Sequence, residues 1–447
     1  MPDNLKDIKN IEDIPHHYVS WFATIILCYL CVIPIIASIT FSDSGLLLSD
    51  GSPTFLLSSI FPYGDHWYRL QWSVLILSFL FIAYSVAMVY KKLSVEWLKS
   101  HMAVLWFGVL FVLSFFSFLN SNNHSRSFWG TGYRHDGFLT YVFFLGLFCT
   151  AIQLNKKQIR IVLEVFTAVG TVLGLLCIFP ILTTPFTIWG SGSTQSIFCQ
   201  KTHYGFFLSM CIPAGMALFL TDKPSLIRFV LRILQLWVLF NSFVFNATRA
   251  TAVGIAVISI LLFFFLGAKQ RVIICVSLLL ATVLFLHTSD ALAAKTTRTL
   301  GFAEEVKEII LSDGRSEFAQ AADRLTSYRY TMWTKAVGYG LEKPILGWGP
   351  DNLGDLYYAD GIEFTDRPHN EFIQIGASLG IPALVCYCLG LYYWAKPYLK
   401  KKKSKFENCL FLIAVSYIIC SFFSNSMYYT TPYFYLILGF SYKEEEK

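Results

Sequence analysis

The sequence predicts an all-α polytopic membrane protein with about 12 transmembrane helices, and three observations carry that expectation. Of its 447 residues, 55% are apolar, 17% aromatic and 14% charged, against roughly 25% charged in a soluble domain. The apolar residues gather in repeated runs of about 17–25, the length that crosses a hydrocarbon core as a helix. Basic residues crowd alternate connections between these runs, the asymmetry that orients membrane helices.

The spans fall at approximately 19–41, 70–90, 101–119, 137–154, 159–182, 204–221, 226–246, 250–267, 270–288, 369–394, 407–424 and 428–441. A polar tail over 1–18 precedes them, and its acidic start does not fit a cleavable signal peptide. Nine spans occupy 19–288, a large extracytoplasmic loop 289–368, three spans 369–441, and a second tail 442–447. Both termini then share one side. With that side cytoplasmic, the inner connections hold Lys91, Lys92 and Lys99, then Lys156, Lys157 and Arg160, then Lys223, Arg228, Lys269 and Arg271. The last is the lysine run "AKPYLKKKKSK", Ala395 to Lys405. The short outer connections hold Arg69, Arg126, Arg134, Lys201 and Arg249. The net charge of +6 therefore reports topology and contact with anionic membrane lipid, and no nucleic-acid partner is expected. Outer-face arginines become the informative ones, because topology does not require them.

Most of the 11 cysteines lie inside apolar runs and read as small buried hydrophobes, not a disulfide or metal framework. In the long loop, "TSYRYTMWTKAVGYGLEKPILGWGPDNLG" predicts a helix over 326–340 followed by a Gly/Pro-rich turn. Trp333, Trp348, Tyr357 and Tyr358 need burial there, which favours an ordered cap.

The candidate site clusters at the outer mouth. In "DRPHNEFIQIGASLGIPALVCY", Asp366 to Tyr387, His369 opens the tenth span behind Pro368. A histidine at a helix N-terminus tends to stay neutral and can accept a proton from a hydroxyl nucleophile. Asn370 and Glu371 follow, placed to orient it or hold substrate. His369, Ile373, Gly376 and Gly380 share one helical face, and the last two form a GxxxG pair suited to close helix packing. Arg249 in "NATRATA", Arg329 in "YRYTMW" one turn from Trp333, and Arg134 in "GTGYRHDGF" offer planar guanidinium forks suited to diphosphate oxygens. Asp136, close to Arg134, favours a structural role for that arginine. Lys201 and His203 in "SIFCQKTHYGFF" approach the same mouth. No P-loop, GxGxxG or GxSxG motif appears, and "DGRSE" lacks the ligand spacing of a calcium loop. No cofactor or metal is expected, and any sugar donor should arrive already activated.

This constellation resembles the O-antigen ligase-like superfamily, which includes O-antigen ligases, surface-polysaccharide polymerases and bacterial O-oligosaccharyltransferases. The resemblance rests on His369 and Asn370 with Gly380 after nine intervening residues, and on Arg329 and Trp333 with three residues between them. "PILGWG" at Pro344 to Gly349, "TRA" at Thr248 to Ala250, and "YRHDGFLTYV" at the fourth span complete it. Ala383 and the "QKTHY" segment depart from the usual pattern, which bears on the acceptor side. The resemblance implies inverting, metal-independent transfer of glycan from an undecaprenyl-diphosphate-linked donor to a glycan or other hydroxyl acceptor at the outer face. It implies His369, Arg249 and Arg329 as catalytic residues, with Asn370, Arg134, Lys201, His203 and Trp333 binding substrate. A transporter or flippase without chemistry is the alternative. That reading expects charges along the bilayer midplane, where the sequence offers mainly Glu164 and Arg232.

Overall fold

The computed structural model describes residues 16–42, 65–92, 94–131, 134–178, 196–198, 201–223, 225–246, 248–263, 268, 271–272, 276, 309–310, 315–400 and 403–442. Nearly all of the predicted ninth span, most of both tails and the first part of the long loop lie outside them. The described residues form helices and no strand: α1 (His16–Ser42), α2 (Asp65–Lys92), α3 (Val95–Ser100), α4 (Met102–Leu119), α5 (His124–Trp129), α6 (Phe138–Ala151), α7 (Lys156–Ile178), α8 (Lys201–Thr221), α9 (Leu226–Asn246), α10 (Arg249–Phe263), α11 (Arg315–Thr326), α12 (Arg329–Glu342), α13 (Leu353–Ala359), α14 (Glu371–Leu379), α15 (Ile381–Lys400), α16 (Lys405–Ser421) and α17 (Thr431–Ser441).

Six of these, α1, α2, α4, α7, α8 and α9, are long and apolar enough to cross a membrane, which makes the chain a multi-pass membrane protein. Residues such as Ile25, Ile76, Leu80, Val112 and Phe116 are exposed on these helices, as a lipid-facing surface requires. At the centre stand α8, buried from His203 to Phe219, and α17, buried along its whole length. A helix apolar on every face belongs inside a bundle, and α8 packs there against α16, α9, α10 and α7. The axis also admits polar side chains when they are paired: Ser416 Oγ donates to Ser209 O at 2.7 Å, and Trp394 Nε1 to Ser441 Oγ at 3.1 Å.

At one end of the bundle, Gln158 Nε2 donates to Ser20 Oγ at 3.0 Å and Lys156 lies 3.5 Å from Glu407. Here too Arg232 bonds both Glu164 and Asp222, and Arg160 bonds Asp222. The ionisable residues singled out within spans are thus paired with each other. Lys156, Arg160 and Lys405 share this end. The first residues of α2, α6, α8, α10 and α17 meet at the opposite end, with the last residues of α4, α9 and α16.

Two predicted elements come out differently. The helix expected over 326–340 starts at Arg329, because Ser327 and Tyr328 are both left-handed (φ 56° and 64°) and separate α11 from α12. Asp323 accepts the Thr331 backbone N–H at 2.9 Å across that break. The span expected over 369–394 is two helices, α14 and α15, divided at Gly380. The "PILGWG" turn causes the division. Its Trp348 and Gly349 N–H groups donate to Ala377 O and Ser378 O at 3.1 and 2.9 Å, and Pro344 O accepts Ile381 N–H at 2.8 Å. The carbonyls left open at the end of α14 are satisfied by this turn. Gly380 has φ +95°, and a Cβ there would sit 2.1 Å from Ile345 O. The expected GxxxG face does not exist: Gly376 faces Leu384, and Gly380 faces the turn. Gly380→Ala is expected to cost about 1–3 kcal/mol from backbone strain alone, with the clash adding more. A lowered midpoint of thermal unfolding in detergent checks it.

Candidate functional site

Four pieces of chain far apart in sequence build the site: Thr131 with the 134–137 approach to α6, the 351 turn, the 365–371 approach to α14, and the 422–430 connection between α16 and α17. Arg367 joins the first three. It is 2% exposed, and it donates to Asp136 at 3.1 Å, Asp351 at 2.6 Å and Asp366 at 3.3 Å. Arg134 grips Asp366 with a fork, Nε to Oδ2 and Nη2 to Oδ1, both at 2.8 Å. Asp351 also accepts from the Thr131 backbone and hydroxyl at 2.6 and 2.9 Å. Asp136 accepts Gln374 Nε2 at 2.6 Å and Ser426 Oγ at 3.1 Å.

Burial pushes the Asp136 carboxyl up to about 6, although Arg367 pulls it down. Burial acts the same way on Asp366, but Arg367 and Arg134 outweigh it and hold that carboxyl well below the usual range. Burial disfavours the Arg367 charge, yet Asp366, Asp351 and Asp136 together hold its pKa above the ordinary value. The network is a structural clamp, made strong because Arg367, Asp136 and Asp351 are paired where water is excluded.

His369 sits two residues past Arg367 in a left-handed conformation, φ 52°. It lies outside α14, whose cap is Asn370: the Asn370 side chain accepts the Ile373 N–H at 3.1 Å. The imidazole lies 3.1 Å from Asn425, Nδ1 to Nδ2. Burial lowers its pKa to about 4, with Arg134 and Arg329 adding to the shift. The ring is therefore neutral near pH 7, and the cause is burial beside guanidinium groups, not the helix N-terminus that the sequence suggested. Glu371 turns away into the bundle, accepting the Tyr387 and Tyr417 hydroxyls at 2.9 Å each, which ties α14 to α15 and α16.

Arg329 opens α12 and donates to Thr326 O at 2.9 Å and Phe423 O at 3.2 Å. His203, in the first turn of α8, stacks on Tyr429 with ring centroids 5.5 Å apart. The 422–430 connection thus gathers Arg329, His369, Asp136 and His203, and it is fastened further by Gln71 Nε2 to Tyr428 O at 2.8 Å. Arg134 enters through Asp366, with Nη1 3.6 Å from Met427 Sδ.

The remaining predicted residues stand differently. Arg249 begins α10 at this end, beside the first turn of α8: Thr248 Oγ1 donates to Asn246 Oδ1 at 2.6 Å, and Asn246 Nδ2 to Lys201 O at 2.7 Å. Its side chain lies outside the described residues. Lys201 is exposed. Trp333 is half-buried against a separate small core of Met332, Tyr339, Leu353 and Tyr357. Sequence reasoning missed Arg367, Asp351, Asn425 and Ser426. The signal for the last two was the small polar run "SNSMYYTT" between two apolar spans.

Fold and site together define a class: a polytopic membrane protein with a buried polar cluster gathered at one end of its bundle. Residues 234–388 match the O-antigen ligase family, which supports assigning the chain to the O-antigen ligase-like superfamily. That segment contains Arg249, Arg329, Trp333, His369 and Asn370, and it excludes Arg134, Lys201, His203 and Asn425. The family supports glycan transfer of the ligase or polymerase type on lipid-linked substrates in general. A search of curated proteins finds no match.

Proposed function

We propose that the chain catalyses inverting, metal-independent glycan transfer from an undecaprenyl-diphosphate-linked donor to a hydroxyl acceptor. The site lies on the extracytoplasmic face of the bacterial cytoplasmic membrane, in a bundle of about 12 spans with both termini cytoplasmic. The observation that carries this reading is His369, neutral, held by Asn425 and beside Arg329 and the Arg367 clamp. The acceptor hydroxyl oxygen attacks the anomeric carbon as the bond to the diphosphate oxygen breaks. His369 takes the hydroxyl proton, and undecaprenyl diphosphate leaves as an anion that Arg249 and Arg329 stabilise. Carbonyl oxygens at Thr326 and Phe423 hold the Arg329 guanidinium in place without bringing a negative charge.

Arg134, Asn370 and Trp333 shape the walls around the substrate, while Lys201 and His203 line the mouth. A groove of about 500 Å³ beside Arg134 and Asp366, lined also by Arg126, Asp351, Tyr358 and Phe364, suits the acceptor. Exposed Tyr358 and Phe364 offer faces on which sugar rings can stack.

Arg329→Ala and Arg249→Ala are each expected to lower transfer by about 10²–10³-fold, and Arg329→Lys to restore only part of it. The test is the glycan length ladder of a deletion strain carrying each variant at normal membrane levels. A ladder unchanged by both variants contradicts the proposal. The deletion itself separates the two activities: loss of a polymerase leaves single repeat units, and loss of a ligase leaves long chains on the lipid carrier.

A further inference from the structure

We propose that Asn425 is the positioning residue that fixes the tautomer of His369, its amide oxygen accepting Nδ1–H so that Nε2 presents its lone pair to the acceptor hydroxyl. The inference rests on the proposed base role of His369 and adds a residue outside the matched family segment. The amide and the imidazole are 3.1 Å apart at Nδ1. Whichever way the amide is turned, Nδ1 is committed to Asn425, and Nε2 is the nitrogen left for substrate. The two orientations have opposite consequences. With Nδ2 donating to Nδ1, the ring proton sits on Nε2, which then donates and accepts nothing. With Oδ1 accepting from Nδ1–H, Nε2 is the proton acceptor.

The proposed base role of His369 separates them, because only the second orientation leaves a lone pair on Nε2. With Nδ2 toward the ring, Oδ1 is buried with no hydrogen-bond partner among the described residues, a costly position for an amide oxygen. Turning the amide gives Oδ1 the ring N–H and moves Nδ2 into that buried position.

The neighbouring bonds make Asn425 rigid enough for this task. Phe423 O is held by Arg329, Ser426 Oγ by Asp136, Met427 Sδ by Arg134 and Tyr428 O by Gln71. When Nε2 takes the acceptor proton, the imidazolium keeps its second N–H on Asn425 Oδ1. The charged groups that act on this ring are Arg134, Arg329, Arg367 and Asp366. None of them bonds Nδ1 among the described residues.

The test is the pH profile of transfer by purified Asn425→Ala, Asn425→Asp and His369→Ala proteins, using a synthetic polyprenyl-diphosphate glycan donor. For Asn425→Ala, kcat should fall by about 10-fold or more with KM for the donor nearly unchanged, a fraction of what a general base contributes. Asn425→Asp keeps the acceptor oxygen and adds negative charge, so it should retain activity while the acidic limb moves upward by about one pH unit. A folded but inactive Asn425→Asp protein would show that the amide donates, and the inference fails. It fails also if Asn425→Ala matches wild type in kcat and acidic limb while His369→Ala is inactive. Full activity of His369→Ala would instead overturn the base role itself. Should Asn425→Ala fail to fold, the Asn425→Asp profile alone decides.

Discussion

His369→Ala is expected to lower glycan transfer by about 10²–10⁴-fold, the span that a positioned general base contributes, with membrane insertion and thermal stability close to wild type. The ring is half-buried, and its hydrogen bond to Asn425 is its one bond among the described side chains. Its loss leaves the Arg367 clamp and the α14 cap in place. The direction of pH dependence follows from the same geometry. Burial with Arg134 and Arg329 lowers the His369 pKa to about 4, from about 6.5 in the unfolded chain. The neutral, proton-accepting form therefore persists down to acid pH, and the rate should fall only as pH approaches about 4. For stability the sign is the same. The unfolded chain binds this proton first, so stability is full above about 6.5 and is lost progressively as pH falls toward 4. Initial rates with a defined lipid-linked donor across pH 4–8, with unfolding followed in parallel, check both statements.

The largest effect on folding is expected from Arg367→Ala, about 3–5 kcal/mol, the cost of breaking a buried ion pair by removing one partner. Three carboxylates converge on this guanidinium, and Asp136 and Asp351 are nearly as buried as Arg367 itself. Without it they repel one another at a point where three segments of chain are joined. Arg367→Lys should recover little, since one ammonium cannot address Asp136, Asp351 and Asp366 from three separate nitrogens. Yield after detergent extraction and the unfolding midpoint measure the loss. A wild-type midpoint for Arg367→Ala would show that the clamp does not hold the site together.

Much of this architecture is legible in local patterns, because spans and their ends are written in consecutive residues. The runs at 19–41, 101–119 and 226–246 coincide with helices, and His369 declares itself at a junction of polar and apolar sequence. What stays hidden is pairing across distance. Asn425 lies 56 positions from His369 and Ser426 lies 290 from Asp136, and no periodicity links them. Arg367 drew no notice because two of its three partners, Asp136 and Asp351, come from other segments. The break at Gly380 was read as a packing face for the same reason: the turn that causes it lies 31–35 residues upstream, at Ile345 to Gly349. A single glycine in an apolar run does not reveal whether a helix passes over it or stops.

The most direct test of the account uses purified protein in sealed liposomes with a labelled undecaprenyl-diphosphate glycan and candidate hydroxyl acceptors, without nucleotide and with chelator present. The account predicts a new glycosidic product of inverted anomeric configuration, equimolar release of undecaprenyl diphosphate, and loss of both with His369→Ala. Lipid-linked glycan that crosses the bilayer unconsumed, equally well with His369→Ala, would contradict it and identify a transporter instead.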